Sequence, residues 1–469
     1  MDFKYQDNIF GKTLQEIKKA IKGTRFENHV FLVGGAVRDC MLGLPMKDID
    51  LCIDIENGGL LFAEWMCKEY GCYKENSNPC LFPKYGTAKF SLRSINELAQ
   101  VEIECVQTRK EQYHSDSRKP ETVFGTIYED AKRRDLTINA LYVNLSTDKI
   151  VDPTEMGIDD LLNMVIRTPS DPKIVFEDDP LRMLRVIRFA TKLNWGINKD
   201  TWVGIVNNVH RIEIVSQERI TDELGKILLC TKPSVGFKRL KNCGLLKRVL
   251  PEIYDMDGLT QGKQHFGDVF AHTMSVIDNT SPILTHRWAG LLHDIGKKQV
   301  RAFIDGRIRF LQHEVVGELE AIKLLKRLKF SNTDTKAISL TVRHHMRLKS
   351  SGDHCPSPKT IRKFIADIGE ENLAIVMDVI HADNVSHAED YNMPNQIKLM
   401  LRKIESMKRE NPSLKVKIPI NGYDVIQTFD LKPSPKIGTY LDAVKAFVLD
   451  NPTATKEECL AHIESIISR

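Results

Sequence analysis

The segment Asp48-Ile49-Asp50-Leu51-Cys52-Ile53-Asp54 alternates strictly between apolar and polar positions, a two-residue repeat that describes a β-strand rather than a helix. Ile49, Leu51 and Ile53 fall on one face, and Asp48, Asp50, Cys52 and Asp54 on the other. Carboxylates two residues apart on one face repel, and each raises the pKa of the next unless a cation lies between them. A hard divalent ion such as Mg2+ relieves that repulsion and suits oxygen ligands. A second strand pattern repeats the arrangement, with Glu102 and Glu104 opposite Val101 and Ile103. An isolated D-x-D is more often a solvated strand face than a metal site, so its surroundings decide. Upstream, Phe31-Leu32-Val33 reads as a strand that ends in Gly34-Gly35 and gives way to a helix over 36–42. Free backbone N–H groups at a helix start, beside two residues without side chains, form a cradle for phosphate.

The chain has 469 residues, 42% hydrophobic and 28% charged. At roughly 100–200 residues per domain this corresponds to three or four cored domains and excludes a disordered or fibrous protein. Lys and Arg total 67 against 63 Asp and Glu, and the net charge of +4 excludes a histone-like polycation while allowing a local basic surface. Ten cysteines without a CxxC pair read as reduced, mostly buried thiols. The start lacks an apolar h-region, and no apolar stretch nears the roughly 18–20 residues of a membrane span, so a cytoplasmic protein with no membrane partner is expected.

Residues 1–25 read as an amphipathic helix carrying Phe10, Leu14, Ile17 and Ile21 on one side. Period-two patterns over 86–92 and 101–106 add strands to a mixed α/β region. Beyond about Asp159 the pattern is almost wholly helical, with helices expected over 175–194, 217–230 and 238–249. Loops are expected over 115–125, 349–360 and 406–422.

Over roughly residues 25–250, VGGAVRDCMLG…KDIDL, RRDLTINAL and EDDPLRMLRVIRF resemble, in order and spacing, the bacterial CCA-adding enzymes and poly(A) polymerases, the second class of polymerase-β-like nucleotidyltransferases. The resemblance implies an α+β chain: a nucleotidyltransferase head with a mixed sheet over 1–158, an all-α neck for base recognition over 159–255, an HD-type body over 256–395 and a helical, tRNA-binding tail over 396–469. It implies that Asp48 and Asp50 bind two Mg2+ ions. Glu104, five residues before Arg109 as in the family's strand, is then the third catalytic carboxylate. The implied chemistry is in-line attack of an RNA 3′-hydroxyl on a nucleotide α-phosphate, with pyrophosphate leaving.

Nucleotide binding is implied for Gly34, Gly35, Arg38, Arg134, Asp135 and Asn139, with Arg133 and Arg134 toward the triphosphate and Asp135 toward a ribose hydroxyl. Read locally, Asp135 is a helix cap ahead of core residues Leu136, Ile138 and Leu141, and both roles can hold together. A helix over 177–194 would carry Asp179 and Arg182 at i, i+3 on one face. A carboxylate beside a guanidinium presents an acceptor next to donors. Cytosine and adenine share an exocyclic amine beside an unprotonated ring nitrogen and fit that pair, whereas uracil and guanine reverse the pattern. The resemblance assigns Asp179 and Arg182 this selection of CTP and ATP, with Arg185 as a supporting neighbour. Asp179-Pro180 also reads as an N-cap followed by proline in the first turn, with Asp178 an alternative cap. The stretch 152–157, DPTEMG, matches the family's joint between head and neck.

Further on, His272, His293-Asp294, His313, His344-His345 and Asp383 follow in the order H…HD…H…H…D, and LLHDIGK resembles the signature of the HD hydrolase superfamily. Such residues on several helices hold one or two divalent ions, transition metal or Mg2+, that activate water for phosphoester hydrolysis. The expected ligands are His272, His293, Asp294 and Asp383, with His313 serving a second ion; His344 and His345 both stand open as a further ligand. The basic stretch Lys408, Arg409, Lys415 and Lys417 reads as a solvated linker or, by the resemblance, as a contact to tRNA phosphates. The expected activity is CCA addition to tRNA from CTP and ATP. Alternatives are a poly(A) polymerase, an A-only or CC-only enzyme, an HD phosphohydrolase with a nucleotide-binding head, and a non-catalytic RNA scaffold.

Overall fold

A computed structural model describes residues 2–70, 79–93, 100–112, 121–262, 267–347, 356–388, 391–392, 394–410 and 418–468. The chain forms two compact units, Met1–Leu224 with Lys238–Val249, and Gly225–Phe237 with Leu250–Arg469.

The first unit is built on a sheet. Its strands are β1 (Val30–Val33), β2 (Ile49–Ile53), β3 (Cys80–Phe82), β4 (Thr87–Arg93) and β5 (Gln100–Gln107). After a separate hairpin of β6 (Arg109–Gln112) and β7 (Glu121–Phe124), the sheet is completed by β8 (Tyr142–Asn144) and β9 (Ile150–Val151). The order is β3-β4-β5-β2-β1-β8-β9, with β2 and β5 parallel and the other neighbours antiparallel, so the sheet is mixed as expected. Helix Gly58–Tyr70 packs on β2, β4 and β5 and buries Phe62, Ala63 and Met66. Cys52, on the acidic face of its strand, is buried against Phe31, Val33, Ala131, Ala140 and Tyr142. Both faces are therefore covered at the sheet's centre, and the carboxylates gather at one end of it.

The N-terminal helix runs Ile9–Ile21, capped by the Asn8 side chain, and buries Leu14, Ile17 and Ile21. The helix expected over 175–194 is instead two, Pro172–Asp178 and Leu181–Leu193. Pro180 lacks an N–H and disfavours helical dihedrals at the residue before it, which leaves Asp179 extended at φ −139° and ψ 98°. The 238–249 helix likewise divides, into Pro233–Cys243 and Leu245–Val249, at Gly244 with φ +90°. Part of the expected loop 115–125 is strand β7, and helix Pro394–Glu410 takes the start of 406–422. Residues 113–120, 348–355 and 411–417, with Lys415 and Lys417 among them, lie outside the described residues. Among the described residues, Cys67 departs from the expectation of reduced thiols and is disulfide-bonded. Cys52, Cys105, Cys230, Cys243 and Cys459 are buried free thiols.

Among the described residues, two short pairings interrupt the part expected to be almost wholly helical. Strands β10 (Val165–Ile166) and β11 (Gly196–Ile197) pair in the first unit. Strands β12 (Arg301–Ile304) and β13 (Arg307–Phe310) form an antiparallel hairpin in the second. That unit otherwise consists of helices, among them Val269–Asn279, Leu284–Leu292, His313–Arg327, Asn332–His344 and Leu373–Val385. Near its end, helices Gly422–Phe429, Pro435–Asp450 and Lys456–Ile467 enclose a small core of Ile420, Val425, Ile437, Val444, Val448, Cys459 and Ile463. No helix among the described residues is long and apolar enough to cross a membrane.

Close to Cys52, Asp130 is wholly buried between Arg133 (2.6 Å) and Arg134 (3.1 Å) and accepts a hydrogen bond from the Tyr142 hydroxyl. Burial pushes its carboxyl pKa up, but the two guanidinium groups and the Tyr142 hydroxyl outweigh burial and hold it at about 2. An acid whose folded pKa is depressed contributes stability that is complete above its unfolded value and fades as pH falls toward the folded one. Asp130 should therefore contribute on the order of 2 kcal/mol above about pH 4, lost between about pH 4 and 2. Asp130→Asn strands two buried cations and should cost about 3 kcal/mol at pH 7. Urea unfolding followed from pH 7 to pH 2 checks both, since the variant should lose that part of the acid dependence.

Candidate functional site

The first candidate centre lies where β2, β5 and β4 run side by side. Asp50 is in register with Glu104 on β5, and Glu104 with Lys89 on β4, so a carboxylate pair and an ammonium form one row across three strands. Asp48 stands exposed just ahead of β2. Burial, with Asp48 and Glu104 as like charges nearby, raises the Asp50 carboxyl to about 6. That is the repulsion expected from the alternating pattern, and it is the condition a hard divalent ion relieves. Glu104 leans the other way, its Oε2 2.9 Å from Lys89 Nζ. Among the described residues, the oxygens of Asp48, Asp50 and Glu104 do not form a group that meets at ligand distance. Lys89 escaped the sequence reading because it joins Glu104 only through strand pairing. Asp54 turns away from this row and accepts a hydrogen bond from Thr108 Oγ1 at 3.0 Å.

Next to the row, Gly34 takes φ +72°, a conformation that favours glycine, and ends β1. A Cβ at Gly34 would stand 3.5 Å from Arg134 Nη1, and one at Gly35 3.5 Å from Arg38 Nη2. The glycine turn thus lies between two guanidinium groups, an arrangement that suits a polyanion. Both arginines are fixed from behind. Arg134 is held by Asp130, Tyr142 Oη and the Asn139 carbonyl, and Arg38 by Asp39 and the Asn139 side-chain oxygen. Asn139 Nδ2 donates to Asp135 Oδ1 at 3.0 Å, and Arg185 reaches Asp135 Oδ2 at 2.6 Å. Asp135 precedes a short 3-10 turn, Thr137–Asn139, and does not cap a helix; Leu136, Ile138 and Leu141 are buried as expected.

Helix Leu181–Leu193 supplies the neighbouring wall. Arg185 and Arg188 both approach Glu223, at 3.8 and 2.6 Å. The Phe189 ring carries the guanidinium groups of Arg38, Arg185 and Arg188 at 4.9, 5.7 and 4.1 Å. Asp179 and Arg182 do not share a helix face. Asp179 lies in the break as the C-cap of Pro172–Asp178, where Oδ1 accepts from the Leu181 N–H and Oδ2 from Arg219 at 2.8 Å; the N-cap of Leu181–Leu193 is Pro180, not Asp179. Arg182 is buried and donates to the Val175 carbonyl at 3.2 Å. Arg219 and Glu223 were missed, because only the fold brings that helix alongside.

The second candidate centre is in the other unit. Two groups of side chains, all buried, meet with ligand atoms within 4.8 Å of one another: His272, His293 and Asp383, and Asp294, His313 and His345. All the expected ligands are brought together, and of the adjacent pair His345 is the one included. His293 and His345 each direct Nδ1 to the carbonyl three residues earlier, Gly290 at 2.8 Å and Val342 at 2.7 Å, and His313 does so to Phe310 at 2.8 Å. With Nδ1 used in this way, Nε2 is the ring nitrogen turned to the cluster; burial pushes the His293 pKa down, but Asp294 and Asp383 outweigh it and raise it. His313 Nε2 and His345 Nε2 face each other at 3.3 Å, a pair that either a shared proton or a bound cation satisfies. Burial, with His293 and His313 nearby, pushes the His345 pKa far down and keeps it neutral. Asp294 spans both groups, 3.0 Å from His293 Nε2 and 3.3 Å from His313 Nε2, and is steadied by Lys297 at 2.7 Å. A Cβ on Gly296 would sit 2.2 Å from the His313 carbonyl oxygen, so the glycine lets the His313 helix close on the HD turn. Donor types, tautomers and burial all fit divalent metal ions.

Three domain families match the chain: the poly A polymerase head domain over residues 30–167, the probable RNA and SrmB-binding site of polymerase A over 195–256, and the HD domain over 269–386. The chain is 27% identical to the mitochondrial CCA tRNA nucleotidyltransferase of Candida glabrata, an alignment covering 93% of this chain and 90% of that one. It is 30% identical to the multifunctional CCA protein of Chromobacterium violaceum, covering 72% and 79%. It shares the fold of the Bacillus stearothermophilus CCA-adding enzyme crystallised with CTP, at a TM-score of 0.71 and 19% identity over 99% of each chain. The chain belongs to the family of CCA-adding tRNA nucleotidyltransferases and poly(A) polymerases, in its branch with an HD domain.

Proposed function

We infer that the chain adds C, C and A to the 3′ end of tRNA without a template, from CTP and ATP. The observation that carries this reading is the glycine turn between Arg38 and Arg134, set beside the Asp50–Glu104 register pair within one unit. In this reading Asp48 and Asp50 hold two Mg2+ ions. Bound there, the ions would supply a lowered pKa for the attacking 3′-hydroxyl and stabilisation of the charge on departing pyrophosphate. Glu104 completes the carboxylate set once it shifts from Lys89. Arg38 and Arg134 hold the triphosphate over Gly34 and Gly35. Asp135, kept ionised by Arg185 and Asn139, has acceptor capacity left for a ribose hydroxyl. Asp179, Arg182 and Arg185 read the base edge, the extended backbone at Asp179 leaving its carboxylate half-exposed beside Arg219. Domain roles follow the expected division: head over 1–158, neck over 159–255, HD body over 256–395, and a tail over 396–469 holding tRNA by its backbone.

The second centre supports an additional activity, metal-dependent hydrolysis of a phosphoester. His272, His293 and Asp383 would hold one ion and Asp294, His313 and His345 the other, transition metal or Mg2+. Bound there, the metal supplies an activated water.

Purified protein with Mg2+, labelled NTPs and tRNAs ending before the first C, the second C or the A should incorporate two C and one A in total. Long A tracts would instead indicate a poly(A) polymerase. Asp48→Ala should reduce incorporation of every nucleotide by more than about a thousandfold. Arg182→Ala should cut discrimination against UTP and GTP by about tenfold or more, read as the ratio of kcat/KM values. Loss of all four nucleotides together with the fold would assign Arg182 to structure. For the second centre, elemental analysis of Mn2+-loaded protein should find less metal in His345→Ala and wild-type content in His344→Ala.

A further inference from the structure

Hairpin β12–β13 bears none of the six clustered side chains, yet it forms a wall of the cleft onto which they open. That cleft has a volume of about 1090 Å3, with Asp294, His313 and Asp383 deep within it and Phe303, Arg307 and Arg309 of the hairpin along it. The turn Asp305-Gly306 has positive φ at both residues, 52° and 71°, as a two-residue type I′ turn requires, and this fixes the hairpin's register. The register pairs Phe303 with Ile308 and Ala302 with Arg309. The ring and the two guanidinium groups therefore stand on opposite faces of a narrow ribbon whose tip, Gly306, also lines the cleft.

Phe303 is 75% exposed, more than any other large apolar side chain among the described residues. Arg309 has only an exposed approach to Asp305 at 3.7 Å, and Arg307 makes no ion pair or hydrogen bond among the described residues. On the Phe303 face of the ribbon, Lys297 Nζ lies 2.7 Å from Asp294 Oδ2 and 5.3 Å from the Phe310 ring, a cation between hairpin and cluster. The cleft exceeds what a phosphate ion or a simple ester fills and lies near the upper limit of small-ligand pockets. Exposed aromatic rings beside cations are how single-stranded nucleic acids are bound without sequence preference.

We propose that hairpin β12–β13 is the binding wall for a phosphorylated end of single-stranded RNA. Phe303 stacks on the terminal base, Arg307 and Arg309 take the phosphodiesters that follow it across the ribbon tip, and the terminal phosphate reaches the histidine–carboxylate cluster. The proposal rests on the reading of that cluster as a metal centre.

The test is fluorescence anisotropy of the full-length protein, loaded with Mn2+, against hexa-adenylates that carry a 3′-phosphate, a 5′-phosphate or neither. Wild type should bind one phosphorylated end more tightly than the unphosphorylated hexamer, only when Mn2+ is present, and the better of the two ends identifies the source of the phosphate. Phe303→Ala should weaken that binding about tenfold, and Phe303→Leu, which keeps apolar bulk without a ring, should match it. The double variant Arg307→Ala, Arg309→Ala should flatten the logarithmic salt dependence by about 0.7 for each phosphate no longer neutralised. Unchanged melting temperatures establish that the exposed positions were altered without unfolding. Retained Mn2+ with equal binding by wild type and all variants overturns the hairpin's role and leaves the metal centre standing. Failure of elemental analysis to find more Mn2+ in wild type than in His345→Ala removes the metal centre and the proposal with it. Competition by adenosine 3′-monophosphate as strong as that of the hexamer overturns the part given to the arginines.

Discussion

Asp135 fastens the sheet of the first unit to the helix that supplies its neighbouring wall. Arg185 meets it at 2.6 Å and Asn139 at 3.0 Å. Burial works against the charge, but Arg185 and the Asn139 amide outweigh it and hold the carboxyl below its ordinary value. A buried ion pair seldom stabilises more than apolar packing of the same volume would. What it adds here is register. Apolar ridges tolerate a small rotation of the helix, whereas a guanidinium fork on a carboxylate does not. Rotation of Leu181–Leu193 is thereby set, and with it the placement of Arg182 and Asp179 relative to Asp50. Asn139 carries the constraint further, since its oxygen holds Arg38 while its amide holds Asp135. Phe189 gathers Arg38, Arg185 and Arg188 on one ring and closes the circuit through packing.

Features set by residues close together in the chain were legible from the amino-acid order alone. The alternation at Asp48–Asp54 gave a strand and its acidic face, and Gly34-Gly35 gave the turn before it. The order of the HD residues gave the second cluster. Contacts made by strand pairing or helix docking were not legible, because nothing local encodes them: Lys89 reaches Glu104 across β4 and β5, and Arg219 reaches Asp179 from another helix. The unbroken helix over 175–194 is a different kind of miss. Its apolar spacing runs on through Asp179, and that periodicity outweighed a proline whose effect on the preceding residue is a local rule. Hairpin β12–β13 had its own signal in Asp305-Gly306 between alternating residues, hidden by its helical surroundings. Choosing between His344 and His345 needed the fold, since adjacent helical positions point about 100° apart and only one direction leads inward.

The two centres place charge in opposite ways. At Asp50 the sheet crowds carboxylates until one is pushed to about 6, so negative charge accumulates with Lys89 as its nearest relief. At the second centre four of the six clustered donors are imidazoles, and Asp294 is instead driven well below the usual carboxylate range: burial opposes this, but His293 and Lys297 prevail. Oxygen-rich, strongly anionic surroundings favour a small hard ion that keeps part of its water. Imidazole-rich, dry surroundings favour ions that accept nitrogen donors.

Rigidity differs between the centres in a way that follows from the same local chemistry. Each of three imidazoles at the second centre is tied to a carbonyl three residues away, so its ring is oriented before any ion arrives and little reorganisation is needed on binding. Glu104 has no such tie. Its partner is a half-exposed lysine on a flexible stem, which can release it at small cost. Under the proposed function, a centre that takes up nucleotide and metal together and releases pyrophosphate at every addition gains from one ligand that changes partner. A centre that keeps its ions gains from donors that cannot turn. The placement of Lys89 beside Glu104, and of the backbone carbonyls behind His293, His313 and His345, is the physical form of that difference.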